Sequence, residues 1–271
     1  MREMQFVRGL RHAAAARGGL EGAQRREGRQ FPARPVIHTH SVCEKSCVVE
    51  VRLLVQHASP RSAPDYAEFA MKLVGTYVSP YARRVAAALI ACGIPYEHED
   101  LNGYTEPVRA RQLNPVGKVP VLILDDGEHL IDSTAIIDHL SELTDSVHEL
   151  VPRSGPARRA ALRLAAIATT ICEQVTARYN ERQRPVGCTS PEQVERYRLQ
   201  IIGGFKTLDA AAAAAGPIST ERLSVATLSA IVAFEYTPTW CPDLDPAEMA
   251  PALAKVAAAW RDAPPFARTR T

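Results

Sequence analysis

Long apolar runs are missing from this chain: none approaches the roughly 20 residues that a membrane helix needs, which excludes a spanning helix from the reading. An excess of one charge is missing too. Lys plus Arg exceed Asp plus Glu by 32 − 30 = 2, a balance that gives no electrostatic footprint for a nucleic-acid partner. Cysteine is sparse, with Cys43, Cys47, Cys92, Cys172, Cys188 and Cys241 scattered through 271 residues. That pattern excludes a disulfide framework and reads as reduced thiols in a cytoplasmic protein. The hydrophobic share of 46% and charged share of 23% are those of an ordinary globular chain. The length allows one large domain or two small ones.

Residues 1–70 differ in character from residues 71–271. Arg2 to Arg34 is rich in Arg, Ala and Gly, poor in acids, and shows no sustained apolar period. Such a segment cannot bury enough surface to offset its ordering entropy. It reads as a poorly ordered extension, as a transit-like segment, or as residues ahead of a true start at Met71; the last implies that a chain begun at Met71 folds unaided. His38, His40, Cys43 and Cys47 are zinc-ligand residue types, but their spacing fits no common finger and no core pattern surrounds them. Chance clustering is the reading, and no metal is expected.

Periodicity takes over at Lys72. Lys72 to Val78 is an apolar segment with β-branched and aromatic members, a first strand. Ser79-Pro80 supplies an N-cap and a proline at the first helical position. Val85, Leu89 and Cys92 continue at helical spacing to Gly93, and Tyr96 to Leu101 is extended again. Tyr104 to Gln112 is a short polar segment, a loose helix. Val121 to Leu124 has the length and composition of a buried strand, Asp126-Gly127 signals a hairpin, and Leu130-Ile131 should return antiparallel. Asp132-Ser133 opens a helix whose face is Ile136, Ile137, Leu140 and Leu143. Pro120 stands at the first position of its strand, where proline is tolerated, and a cis Val119-Pro120 bond is plausible there.

The stretch Asn114-Pro115-Val116-Gly117-Lys118-Val119-Pro120, with its hairpin and acidic-Ser helix start, resembles the glutathione-binding half of cytosolic glutathione transferases. The β-α-β-α-β-β-α order over 71–145 is that of a thioredoxin-like α/β domain, which is also the family's N-terminal half. The resemblance covers 71–271. It implies a thioredoxin-like glutathione-binding domain over 71–150 and an all-helical C-terminal domain over 156–271.

The rest of the chain carries no strand pattern. Val151 to Pro156 is a linker by composition. Leu164, Ile167, Ile171 and Val175 mark one face of a long helix to about Arg184, and Pro191 starts a second through Ile201, Phe205 and Leu208. Ser224 to Phe234 has no charge at all, the composition of a helix buried in a bundle, with Ser224 as its N-cap. Family members usually open this helix with Ser-x-x-Asp. Here the fourth residue is Thr227, so the helix start reads as under-capped; Thr227→Asp should stabilise it if the side chain points back at the helix start, and destabilise it by burying a charge if it points into the apolar core. Met249 to Trp260 makes a last helix.

The resemblance implies a chemistry for named residues. Ser79 is the candidate catalytic residue: in Ser-type members a serine after the first strand hydrogen-bonds the glutathione thiol and favours its thiolate. Taken alone, Ser79 reads equally as a helix cap. Tyr77 is the rival, since other branches use a tyrosine near the end of the first strand; its structural reading is a packed strand residue. Lys118, Val119 and Pro120 are implied to present the loop that meets the cysteinyl part of glutathione, with Lys118 near a peptide carboxylate or merely solvated. Asp132 is implied to pair with the γ-glutamyl ammonium, and Ser133 with the helix N-terminus to take the carboxylate; the family's usual acid is Glu, one methylene longer. Tyr81, Tyr104, Tyr179 and Arg182 are the second-substrate candidates by position. The resemblance implies an enzyme of detoxification type, a homodimer, with glutathione as co-substrate and a small electrophile as partner. The alternative is a non-catalytic binding or regulatory protein of the same fold. Disulfide exchange would want Cys at position 79, since a hydroxyl forms no mixed disulfide.

Overall fold

The computed structural model describes residues 71–144, 149–214 and 216–271. Expectations for residues 1–70, including the extension and the His38, His40, Cys43 and Cys47 cluster, lie outside the described residues. The chain opens with strand β1 (Met71–Val74), helix α1 (Pro80–Ala91), β2 (Tyr96–Glu99), α2 (Pro107–Leu113), β3 (Val121–Ile123), β4 (His129–Leu130) and α3 (Ser133–Leu143). The sheet order is β2-β1-β3-β4, with β1 and β2 parallel and the other pairs antiparallel.

Strand alternation decides what covers each face. Leu73 pairs with Leu122 and Val74 with Val121. Leu73 and Leu122 join Val85, Leu89, Ile136 and Leu140 in the main core, so α1 and α3 cover that face. Val74 and Val121 form a smaller core with Leu101, Ala110 and Leu113, so α2 covers the other.

β1 is shorter than the apolar run suggests. The strand stops at Val74 because Gly75 takes φ +144°, and the Ser79 N–H donates to the Thr76 carbonyl at 3.0 Å to close a turn. Tyr77 is therefore a turn residue and not a strand residue. Hydrogen bonding nevertheless continues past β1, from Gly75 N–H to the carbonyl of Glu99 at the end of β2 and from Thr76 N–H to that of Leu101 beyond it, each 2.9 Å.

The remainder is helical among the described residues: α4 (Gly155–Arg182), α5 (Pro191–Ala213), α6 (Val225–Trp240), α7 (Pro246–Met249), α8 (Pro251–Trp260) and α9 (Pro264–Ala267). α6 is buried along its first nine residues, as its lack of charge requires. It runs past the expected end at Phe234 to Trp240, carrying Pro238 inside it. The expected last helix is in fact two. Pro251 pushes the preceding Ala250 out of helical geometry (φ −146°, ψ 69°). α8 then starts afresh, its N–H groups at Ala252 and Leu253 donating to Asp209 Oδ1 at 2.7 and 3.1 Å.

Candidate active site

The register gathers the candidate residues at one end of the sheet. Val74, the last residue of β1, lies beside Val121, the first of β3; Leu122 faces Leu130, so the chain after β4 reaches Asp132 alongside Pro120. The N-termini of α1 and α3 both start at this end. Each presents free N–H groups and the positive end of its dipole.

Gly75 joins the parts. A Cβ built there would sit 2.9 Å from Ala82 Cβ and 3.0 Å from Val119 Cβ. The first turn of α1 and the loop before β3 thus close over a backbone with no side chain. That loop carries the cis Val119-Pro120 bond. It is held by Asn114, which is 5% exposed and donates from Nδ2 to the Lys118 carbonyl at 2.8 Å. Asn114 also accepts from Val116 N–H at 3.0 Å on Oδ1 and from Gly117 N–H at 2.7 Å on its carbonyl. Gly117 turns at φ +70°, a conformation open to glycine at little cost. Lys118 itself is exposed.

Ser79 is half-buried and caps α1, its Oγ accepting from Ala82 N–H at 3.4 Å. Tyr77 leans the other way. Its hydroxyl is 2.9 Å from that of Tyr96 on β2, and its ring stacks on His98 at 4.1 Å and 9°. The rival phenol is therefore engaged with the far edge strand, on the side of β1 away from Pro120 and Asp132.

Asp132 is exposed and caps α3, Oδ1 accepting from Thr134 N–H at 2.8 Å and Ala135 N–H at 3.2 Å. Its carbonyl takes Ile136 N–H, which leaves the Ser133 N–H at the mouth of the helix. The Ser133 hydroxyl departs from expectation. It is buried, 3% exposed, and accepts from Arg84 Nη1 at 3.2 Å. Arg84, from the middle of α1, is 2% exposed, with Nη1 also 3.4 Å from Thr134 Oγ1 and a buried Nε that meets no partner. Burial pushes its guanidinium down to about 10, and the acidic groups Cys172, Asp132 and Tyr81 nearby act in the opposite direction. Arg84 also lines a groove of about 640 Å³ between α3 and α4, with Asp132, Thr134, Asp138, Arg158 and Thr169. Sequence reasoning passed over Arg84 because an arginine on an amphipathic helix defaults to solvent.

The second-substrate candidates separate. Tyr81 is half-buried, its phenol driven far above the ordinary range by burial, with Cys172, Glu173 and Tyr236 as neighbours. Tyr104 is 84% exposed. Tyr179 packs edge-on against Trp240 at 4.8 Å. Arg182 joins Arg178 in clamping Asp243, at 2.9 and 2.6 Å, and the Arg178 bond holds the Asp243 carboxyl well below its usual range. Tyr179 and Arg182 thus serve the far end of α4. Tyr236, beyond the end that the sequence suggests for the apolar helix, instead meets α4 through Thr176 at 2.9 Å and lies near Tyr81. Among the described residues no group of three His, Cys, Asp or Glu could hold a metal, and no helix is long and apolar enough to cross a membrane.

A thioredoxin-like sheet followed by an all-helical bundle, with a cis-proline loop facing two helix N-termini, is the architecture of glutathione-binding transferases. Residues 73–148 match the family described as glutathione S-transferase, N-terminal domain. The uncharacterized GST-like protein YibF of Escherichia coli is 30% identical over 179 residues, 64% of this chain and 88% of that protein. A glutathione S-transferase of Pseudomonas putida is 31% identical over 159 residues, 58% of this chain and 70% of the relative. The crystal structure of a Methylobacillus flagellatus glutathione S-transferase with glutathione bound superposes with TM-score 0.69 at 29% identity, covering 74% of this chain and 98% of that one. The chain belongs to the glutathione S-transferase family.

Proposed function

We propose that this protein is a glutathione transferase that conjugates the glutathione thiol to an electrophilic small molecule, with Ser79 stabilising the thiolate. The observation that carries the reading is the convergence of Ser79, the Val119–Pro120 loop and Asp132 on one end of the sheet, between two helix N-termini. A thiol of pKa near 8.5 must fall about two units to be mostly ionised at neutral pH, roughly 2.7 kcal/mol of differential stabilisation. A hydroxyl donor and a helix N-terminus are together of that order. Ser79 Oγ accepts from Ala82 N–H, which leaves its proton for the sulfur. The Tyr77 phenol is engaged with Tyr96, so Ser79 is favoured over it.

The γ-glutamyl end fits the start of α3. Asp132 meets the ammonium with the oxygen it does not use as a cap, while the Ser133 N–H and the Arg84 charge behind the Ser133 hydroxyl favour the carboxylate. Ser133 then acts through its backbone and its bond to Arg84. The Val119 backbone takes the cysteinyl part, and Lys118 is within the same exposed loop. The second substrate is assigned to the Tyr81 and Tyr236 side of the cleft. A homodimer in the cytoplasm is carried over from the family, and equilibrium sedimentation checks the first of these.

Retention on immobilised glutathione followed by turnover of a generic electrophile tests the enzyme against the alternative, a binding or regulatory protein of the same fold; retention without turnover selects the alternative. Ser79→Ala is expected to cut turnover tenfold or more, about 1.4 kcal/mol, with a smaller change in glutathione affinity. Equal activity in that variant, beside an inactive Tyr77→Phe, transfers the role to Tyr77. Asp132→Asn separates cap from charge. It keeps an oxygen for Thr134 and Ala135, so thermal stability should hold, while glutathione binding weakens by about 1 kcal/mol, the margin between a charged and a neutral hydrogen bond. An unchanged dissociation constant would leave Asp132 a cap alone.

A further inference from the structure

Arg83 sits one turn into α1 and donates its N–H to the carbonyl of Ser79 at 2.9 Å. Its side chain is 7% exposed and leaves the thioredoxin-like half altogether. Nη2 pairs with Glu235 on α6, and Nε reaches Thr269, beyond α9, at 3.5 Å. Thr269 is fully buried and spends its proton on the Pro265 carbonyl at 2.7 Å, which leaves its oxygen as an acceptor for Arg83. Arg270 stands 3.8 Å from the other Glu235 oxygen. Both partners of the Arg83 head thus belong to the helical half, whereas the opposite side of the same turn rests on Val119 across Gly75.

We infer that Arg83, Glu235 and Thr269 form a positioning clamp by which the helical half of the chain sets the angle of the Ser79 turn. The inference rests on the reading of Ser79 given above. The clamp touches neither the cis-proline loop nor the start of α3, which hold glutathione under that reading. Loosening it should therefore change thiolate formation and turnover more than glutathione affinity. Simple electrostatics makes the opposite forecast for one variant. Glu235→Gln strips the neutralising partner from Arg83, and added positive charge near the sulfur lowers a thiol pKa.

The test is the pH profile of turnover for full-length Glu235→Gln and Thr269→Val, each checked for folding by its urea midpoint. Turnover is expected to fall about fivefold in Glu235→Gln, with the glutathione KM within about twofold of the parent and the ascending limb moved up by about half a pH unit. Thr269→Val, which alters no charge, is expected to move the limb in the same direction by less, and it carries the test if Glu235→Gln does not fold. A limb that moves down in Glu235→Gln, or stays still in both, overturns the clamp. Ser79→Ala run alongside separates the two ideas. If it turns over like the parent, the thiolate assignment fails and takes the clamp with it; if it is impaired while the clamp variants are normal, only the clamp is lost.

Discussion

Gly75→Ala should cost about 2–6 kcal/mol of stability, combining backbone strain of about 1–3 with overpacking of about 1–3. Gly75 takes φ +144°, where an L side chain is strained whatever the space around it. The space is also closed. The new methyl would lie 2.9 Å from Ala82 Cβ and 3.0 Å from Val119 Cβ, and a Cβ cannot swing away as a side-chain tip can. Either the start of α1 or the loop before β3 must retreat, and under the proposed function those two elements carry Ser79 and the surface for the cysteinyl part. Stability and glutathione binding should therefore fall together. Urea midpoints, with binding measured where the variant is still folded, check this. A loss under about 0.5 kcal/mol, the scale of an ordinary surface substitution, would mean that the turn opens without disturbing its neighbours.

The same glycine shows where sequence reading stops. Alternation and turn chemistry disclosed the strands, the hairpin at Asp126-Gly127 and the caps at Ser79 and Ser224, because each depends on residues a few positions apart. The end of β1 was hidden, since Val78 and Tyr77 have strand propensity and what ends the strand is the positive φ of Gly75 and the turn that Ser79 N–H closes on the Thr76 carbonyl. Ser79, Pro120 and Asp132 were legible through the motif they belong to, but that they share one end of the sheet comes from the register of β1, β3 and β4. The inward turn of Ser133 was not legible. It depends on Arg84, whose burial nothing in a local pattern announces. Arg182 and Tyr179 drifted from the second-substrate side for a like reason: Asp243 and Trp240, distant in sequence, capture them.

Thr227→Val is expected to destabilise the protein by about 1–3 kcal/mol, the cost of stranding a buried hydrogen-bonding group. The helix start was expected to be short of a partner, with an acid at this position closing the capping box. The hydroxyl already does comparable work. Thr227 is fully buried, and its Oγ1 accepts from Ser219 N–H at 3.2 Å and donates to the Pro217 carbonyl at 3.1 Å. Ser224 Oγ accepts from Thr227 N–H at 3.1 Å and donates to the same carbonyl. Two hydroxyls thus stitch the loop at 217–219 to the first turn of α6, and valine, though similar in volume, leaves the Ser219 N–H without its acceptor. An aspartate keeps that acceptor but loses the donor and sets a carboxylate against the Pro217 carbonyl, away from water. The favourable dipole term of about 0.3–1 kcal/mol is then offset by the desolvation of the charge. Thr227→Asp should accordingly show a urea midpoint no higher than the parent, with Thr227→Val clearly lower. A midpoint raised by the aspartate would show that the start of α6 accommodates the charge and that the helix was under-capped after all.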